Sequence, residues 1–395
     1  MAALPDPPSI DWGSEEAVVR LTQELIKIRS QNKVDPEDAV GDYIKRLLID
    51  FLPFAPYSLK MQQLSPGRTN LIAVFEPSFD ARLILFSGHQ DTVVGYESNH
   101  SEAPRIENGK IFGRGACDMK GPIAAILVAV YRWLKANFPR LIQEKKGIAV
   151  AFTVDEEASC GGMYALDSPE IKSVLNRADL CILGEPSSLT PVIGHKGINW
   201  YDVKFLGKAA HASVPELGQN AIYAAAQFIR QIELYYHDLQ QIKTPLGTPK
   251  INVGLIQGGQ ATNIVPNECQ LSIDRRFVTG ENVDEELSKI QIIAQKNDPT
   301  AEVQAKKPGY PYLLPQAEAN PWYLRIAPSC KKGFDLTLPA YTEADMYYRV
   351  YGVPTLIIGP GSIAQAHQTP EFIEISELHD AVSIYMNILT EYFKS

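Results

Sequence analysis

The stretch Leu83-Ile-Leu-Phe-Ser-Gly-His89-Gln-Asp91-Thr92 decides the architecture. A short apolar run that stops abruptly at Gly-His-x-Asp reads as a buried strand carrying two polar side chains to its own C-terminal tip. Open α/β sheets keep their active sites at such tips. Residues two apart in an extended segment point to the same side, so Asp91 is placed to orient His89, as carboxylates commonly orient metal-bound imidazoles. A strand that merely ends in a surface histidine gives the same tripeptide, and one such motif settles nothing.

Repetition changes that. Ile148-Ala-Val-Ala-Phe-Thr-Val154 is a second buried-strand run and stops at Asp155-Glu156-Glu157. Leu180-Cys-Ile-Leu183 stops at Gly184-Glu185-Pro186, and Thr355-Leu-Ile-Ile358 stops at Gly359-Pro-Gly361, with Ala366-His367 just beyond. A hydrophobic core has no use for four strands that each end in an acid or a histidine, because Asp and Glu are rarely buried unless paired or bound to metal. The four ends are expected to converge on positive charge.

The remaining composition narrows the class. With 395 residues, 45% of them hydrophobic, the chain is globular and long enough for two domains. Its 37 basic and 46 acidic residues, net −9, argue against nucleic acid or an anionic membrane as partner. No basic segment followed by an apolar one opens the chain and no run is long enough to span a bilayer, so a cytosolic protein is expected. The five cysteines, Cys117, Cys160, Cys181, Cys269 and Cys330, show no CxxC spacing, which points away from a thiolate zinc site or a disulfide framework.

In chain order, helical spacing predicts an amphipathic helix over Ser14–Ser30 with a capping serine, and a second over Asp38–Phe51. Strands Thr69–Phe75 and Leu83–His89 follow, then a polar, loop-like Tyr96–Lys110. The glycine-rich Phe112-Gly-Arg-Gly-Ala-Cys-Asp118-Met-Lys-Gly121-Pro122 runs into an apolar helix, and Pro122 suits its first turn. The loop lacks phosphate-binding spacing and carries an Asp where phosphate would be repelled; a carboxylate donor fits better. From about Pro191 the pattern becomes βαββαβ, an open-faced sandwich over residues 191–306 inserted in a domain formed by 1–190 and 307–395. A last amphipathic helix spans Ser376–Phe393.

The candidate ligands are therefore His89, Asp118, Glu157, Glu185 and His367, with Asp91 and Glu156 beside them. Imidazole mixed with hard oxygen donors suits zinc first, with cobalt or manganese as alternatives. Five ligands exceed one tetrahedral catalytic ion; two ions sharing a bridging carboxylate, roughly 3.5–4 Å apart with a hydroxide between, use all of them. Adjacent glutamates diverge, so one of Glu156 and Glu157 can meet metal while the other handles the proton of water.

Taken together, Gly88-His-Gln-Asp-Thr92, Gly113-Arg-Gly-Ala-Cys-Asp-Met-Lys-Gly121, Asp155-Glu-Glu157, Gly184-Glu-Pro186 and Ala366-His367 resemble the motif set of the dinuclear metallohydrolases that include acetylornithine deacetylase, succinyl-diaminopimelate desuccinylase, aminoacylase and carboxypeptidase G. The resemblance implies a zinc-peptidase-like α/β catalytic domain, a mixed sheet flanked by helices, with an inserted ferredoxin-like α+β lid and dimerisation domain. It implies His89, Asp118 and Glu185 on one metal, Glu157 and His367 on the other, Asp118 bridging and Glu156 as acid/base. It also implies that His211 and Asn263 meet the oxyanion and that Arg276 meets the substrate carboxylate. Gly359-Pro-Gly361 and Tyr341-Thr-Glu343-Ala-Asp345 look most like the deacetylase branch. Gly361 and Glu343, with Asp345 second, are then expected at substrate, Glu343 meeting the ammonium of N2-acetyl-L-ornithine. Succinyl-diaminopimelate, a dipeptide or another acylated amino acid are the alternatives, and a homodimer is expected. Val94 stands where the family usually has proline. His100, His237 and His379 read as ordinary histidines.

Overall fold

The computed structural model describes residues 9–95, 103–306, 308–331, 333 and 336–394; His100 and part of the polar Tyr96–Lys110 segment lie outside them. The chain divides into two units, one of Met1–Ile193, Leu314–Leu336 and Thr342–Ser395, the other of Gly194–Leu313 and Thr337–Tyr341.

The first unit is built on six strands: β1 Ser58–Ser65, β2 Arg68–Phe75, β3 Arg82–His89, β4 Lys146–Thr153, β5 Ala178–Leu183 and β6 Thr355–Ile357. Their order across the sheet is β1-β2-β4-β3-β5-β6. Strands β4, β3, β5 and β6 are mutually parallel, while β1 and β2 add an antiparallel edge. The parallel register places His89 opposite Thr153, Ser87 opposite Leu183, and Leu183 opposite Ile357, so the four tips read from the sequence lie side by side along one edge of the sheet. The parallel strands are apolar through their middles because helices cover both faces, and they carry Arg82, Lys146 and Asp179 at their starts. On one face Leu83, Leu85, Ala149 and Ala151 pack with Ile171, Val174, Met346 and Tyr347. On the other, Phe86 meets Tyr385 of the helix Ile375–Tyr392 edge-on at 5.5 Å. Truncating one of these side chains, as in Leu85→Ala, removes its burial and leaves a cavity, at a cost of about 2–5 kcal/mol.

In the second unit the strands Gly197–Leu206, Lys250–Gly258, Glu268–Phe277 and Glu302–Ala305 form an all-antiparallel sheet, with the helices Ala221–Leu239 and Glu286–Gln295 against one face. The central pair is Gly197–Leu206 with Glu268–Phe277, and the other two strands flank it. This is the ferredoxin-like βαββαβ arrangement. Tyr201, Val203 and Phe205 point to the core and alternate with the outward Trp200, Asp202 and Lys204. Asn220 caps the first of these helices, its Oδ1 accepting from the amides of Ile222 and Tyr223 at 2.9 and 3.3 Å. This unit starts after Pro191 and runs past 306 because Gly194–His195 pairs with both Tyr312–Leu313 and Thr337–Leu338.

Local expectations fail where short-range chemistry competes. The first helix is Glu16–Lys27 and has no side-chain cap; Ser14 instead donates its hydroxyl to the carbonyl of Asp11 at 2.8 Å. Arg105–Glu107 and Lys110–Phe112 form a small hairpin inside the polar segment. All five cysteines are free. Among the described residues no helix is long and apolar enough to cross a membrane.

Candidate metal centre

The tip of β3 presents His89, which is buried. Its Nδ1 lies 2.9 Å from the backbone carbonyl of Asp91 and 3.6 Å from Asp91 Oδ1, so the carbonyl is the nearer orienting group. With the proton placed on Nδ1 by that contact, the lone pair of Nε2 faces Asp118 Oδ1 at 2.9 Å and Glu185 Oε1 at 3.8 Å. Such a convergence is relieved only by a proton on Nε2 or by a metal cation among the three atoms.

Asp91 instead uses its carboxylate on the next strand. Asp155, at the end of β4, has φ +58°, a left-handed conformation that Asp tolerates and that turns the chain sharply into the single helical turn Glu156–Ser159. Asp91 accepts from the amides of Glu156 and Glu157, each at 3.1 Å, which caps that turn. Successive residues of a helical turn diverge by about 100°. Glu157 is thereby sent to His367, its Oε2 lying 2.9 Å from Nε2, while Glu156 points elsewhere. His367 Nε2 is also 3.5 Å from Asp118 Oδ2. Two groups of ligand atoms result, His89–Asp118–Glu185 and Asp118–Glu157–His367, each with all atoms within 4.8 Å of one another. Asp118 belongs to both.

The charge state of these groups follows from crowding. Burial pushes Glu157 up to about 7, and burial together with Asp118 and Glu157 holds Glu185 well above the usual carboxylate range. Burial does the same for Glu156, reinforced by Glu185, Glu157 and Glu343 and opposed by His89. For His89 burial works against the charge, but the Asp118 and Asp91 carboxylates outweigh it and raise its pKa. Oε1 of Glu157 and Oε1 of Glu185 are buried with no hydrogen-bond partner. Uncompensated acceptors of this kind are costly in a protein interior. The donor set of two imidazoles and three carboxylates, with these orphaned oxygens, fits a pair of divalent cations.

Several supporting residues were not legible in the sequence. Asn32 donates to Asp91 Oδ2 at 2.9 Å and to Asp155 Oδ1 at 3.1 Å. Glu37 accepts from the Asp155 amide at 2.7 Å and pairs with Arg68 at 2.9 Å. Met119 packs against the strand tip: a Cβ on Gly88 would meet its Cε at 2.6 Å, so a side chain there would have to displace the Met119 thioether. Buried Lys120 gives its ammonium to the carbonyl of Ile28 at 2.5 Å, and burial lowers it to about 7 against the pull of Glu371, Asp35 and Asp91. Glu371 accepts from the amides of Gly115 (2.9 Å), Cys117 (2.8 Å) and Asp118 (3.0 Å) and from Arg114 Nη1 (2.8 Å). No signal in the sequence marks Glu371 except its place four residues after His367.

Residues 85–391 match the family described as Peptidase family M20/M25/M40. The chain belongs to this family. It is similar to the acetylornithine deacetylase of Vibrio cholerae serotype O1, 31% identical over 392 residues that cover 93% of this chain and 96% of that one. Its fold is similar to that of an M20 metallo-carboxypeptidase from Sulfolobus solfataricus, with TM-score 0.76 and 20% identity over 96% and 99% of the two chains. It is also similar to a dinuclear metal binding M20 peptidase of Bacillus subtilis, with TM-score 0.66 and 13% identity over 96% and 98%. The chain is a metal-dependent hydrolase of amide bonds.

The remaining residues expected in this M20 enzyme are placed as follows. Glu343 is fully buried: Oε2 accepts from Thr153 Oγ1 at 3.0 Å, Oε1 has no partner, and burial pushes its carboxyl up to about 8. Asp345 is buried within the helix Ala344–Tyr351. Gly361, at φ +84°, gives its amide to Glu377 Oε2 at 2.6 Å, and a Cβ there would meet Cys117 Sγ at 2.5 Å. In the second unit His211 is exposed, and its Nδ1 accepts from the Ser213 amide at 3.1 Å, which puts the proton on Nε2. Asn263 is also exposed, and its carbonyl accepts from Ala212, next to His211, at 3.0 Å. Arg276 is held side-on by Asp274, Nε to Oδ1 at 2.7 Å and Nη2 to Oδ2 at 2.9 Å, and Trp200 donates to the same carboxylate at 2.9 Å.

Proposed function

We propose that the chain removes the acyl group from an N-acyl amino acid, with N2-acetyl-L-ornithine as first choice and L-ornithine and acetate as products, a step of arginine formation. The observation that carries the chemistry is that Asp118 is common to two ligand groups while Glu156 belongs to neither. The substrate follows the Vibrio cholerae relative. Two divalent ions, zinc first and cobalt or manganese next, would be held by His89, Asp118 and Glu185 and by Asp118, Glu157 and His367. Bound there, they supply positive charge that polarises the amide carbonyl and acidifies water.

The protein's own groups then do the rest. Glu156 takes a proton from the attacking water as the C–O bond forms, and returns it to the nitrogen as the C–N bond breaks, so one carboxylate serves both half-reactions. Asp91 holds Glu156 and Glu157 in their divergent directions through the two amides it caps. His211, a donor at Nε2, and Asn263 are assigned to the oxygen that gains charge, and Arg276 to the substrate carboxylate, on the family resemblance. The guanidinium edge not taken by Asp274 is the part left for that contact.

The protein is further proposed to be a cytosolic homodimer. The edge strand Lys250–Gly258 exposes Leu255 at 70% and Ile256 at 54%, and such an edge is open to pairing across a two-fold axis. Sedimentation at micromolar concentration separates dimer from monomer. The activity itself is tested by stripping the protein with chelator, restoring zinc or cobalt, and following amine release. Acetylornithine is expected to be turned over only with metal and faster than acetylmethionine, succinyl-diaminopimelate or a dipeptide. Faster release from one of the others moves the substrate assignment to it.

A further inference from the structure

Glu371 stands outside the ligand set and outside the proton-transfer step, yet it is buried and uses both carboxylate oxygens fully. Oε1 accepts from the amides of Cys117 and Asp118, and Oε2 accepts from the amide of Gly115 and from Arg114 Nη1. Its own backbone carbonyl accepts from the amide of Gly113 at 3.1 Å, and Arg114 reaches on to the carbonyl of Gln368 at 3.3 Å. Three amides of one loop, those of Gly115, Cys117 and Asp118, converge on one anion and pin the backbone of 115–118 to it. The segment supplying that anion is the one that carries His367.

We propose that Glu371 is a positioning residue for both metal sites: it fixes the backbone from which the shared ligand Asp118 projects, and ties it to the chain segment that bears His367. The proposal rests on the two-metal reading above. Each of its two oxygens accepts from two donors. Four donors meet two oxygens, so in Glu371→Gln the new NH2 group must face two of those donors, and at least two of the four bonds are lost. Groups that orient ligands without touching the metal commonly change metal affinity about 10–100-fold when removed. Because Asp118 enters both groups, both affinities should fall together.

The test measures zinc binding to metal-stripped protein by competition with a chelating indicator, alongside the visible absorption of the cobalt form and circular dichroism. Wild type is expected to bind two ions; binding of fewer overturns the two-metal reading and this proposal with it. Glu371→Gln is expected to stay folded, to bind both ions about 10–100-fold more weakly, and to show altered cobalt bands, which a purely structural loss would not produce at saturating metal. Glu371→Asp, which keeps two oxygens but sets them one methylene back, is expected to fall between. If Glu371→Gln does not fold, Glu371→Asp decides by the same two readouts. A folded variant with wild-type affinity for two ions and an unchanged cobalt spectrum overturns the proposal while leaving the two-metal reading in place.

Discussion

The two sheets handle their charged residues in opposite ways. In the second unit, charges stand along the strands and are matched where they stand: Asp274 by Arg276 and Trp200, Asp202 by Ser272 at 2.7 Å, and the buried Arg275 by Glu286 at 2.7 Å. In the first unit the parallel strands keep Arg82, Lys146 and Asp179 at their starts, and acids gather at the opposite tips, where Glu157, Glu185 and Glu343 each keep a buried oxygen without a partner. Alternating polarity serves a sheet that is wet on one side. Apolar runs ending in acids serve a sheet whose edge must take up something from outside the chain. Matched charge is structural, and unmatched charge of this density marks a site.

The largest effect that could break this contrast is at Glu156. Glu156→Gln is expected to lower kcat by about 10²–10⁴-fold with two metal ions still bound. Near-normal kcat at full occupancy, by steady-state kinetics and metal analysis of one sample, would remove Glu156 from the proton transfer.

Acid and base should sharpen the contrast next, since the two units respond with opposite sign. In the metal-free protein Glu157 and Glu343 hold protons to about 7 and 8, above the ordinary 4.5, so their contribution to stability is full below about pH 4.5 and is lost as pH rises through 7 to 8. Added metal should abolish that loss. His195 in the second unit goes the other way: burial lowers it from 6.5 to about 4, so the unfolded chain takes up the proton first as pH falls. Stability is full above about pH 6.5 and declines by about 3 kcal/mol toward pH 4, at 1.36 kcal/mol per pH unit. Denaturant unfolding against pH, with and without zinc and with His195→Phe, checks both; a His195→Phe protein that keeps the acid-side decline would discard the assignment.

The smallest effect concerns Glu343. Its burial and its bond to Thr153, in register with His89, favour support of the metal site, so Glu343→Gln is expected to weaken kcat/KM about 10–100-fold for acetylornithine and acetylmethionine alike. A loss confined to acetylornithine would return Glu343 to the substrate ammonium.

His89, Glu157 and Glu185 stood out because each ends an apolar run, where a core has no use for a polar group; Asp118 and His367 lie in loops and were added because those strand ends exist, and the fold brings all five together. The βαββαβ order was legible from alternation, as in Tyr201, Val203 and Phe205 against Trp200, Asp202 and Lys204. What escaped was held by partners distant in sequence. Asn32 reaches Asp91 and Asp155 across 59 and 123 residues. Glu371 binds backbone amides, which carry no residue-type signal. The strand Ser58–Ser65 escaped because its alternation is weak, as befits a sheet edge.

The order in which the parts of the sheet are synthesised has a consequence for how the site is assembled. His89, Asp118, Glu157 and Glu185 have all been made before the second unit begins, but β6, His367 and Glu371 come only after it. A growing chain therefore carries a cluster of acids at the edge of an incomplete sheet for the whole time that residues 194–313 are being made. A fragment ending before Thr355 would contain four of the five ligands in sequence, yet lack both the last parallel strand and the carboxylate that shapes the Asp118 loop.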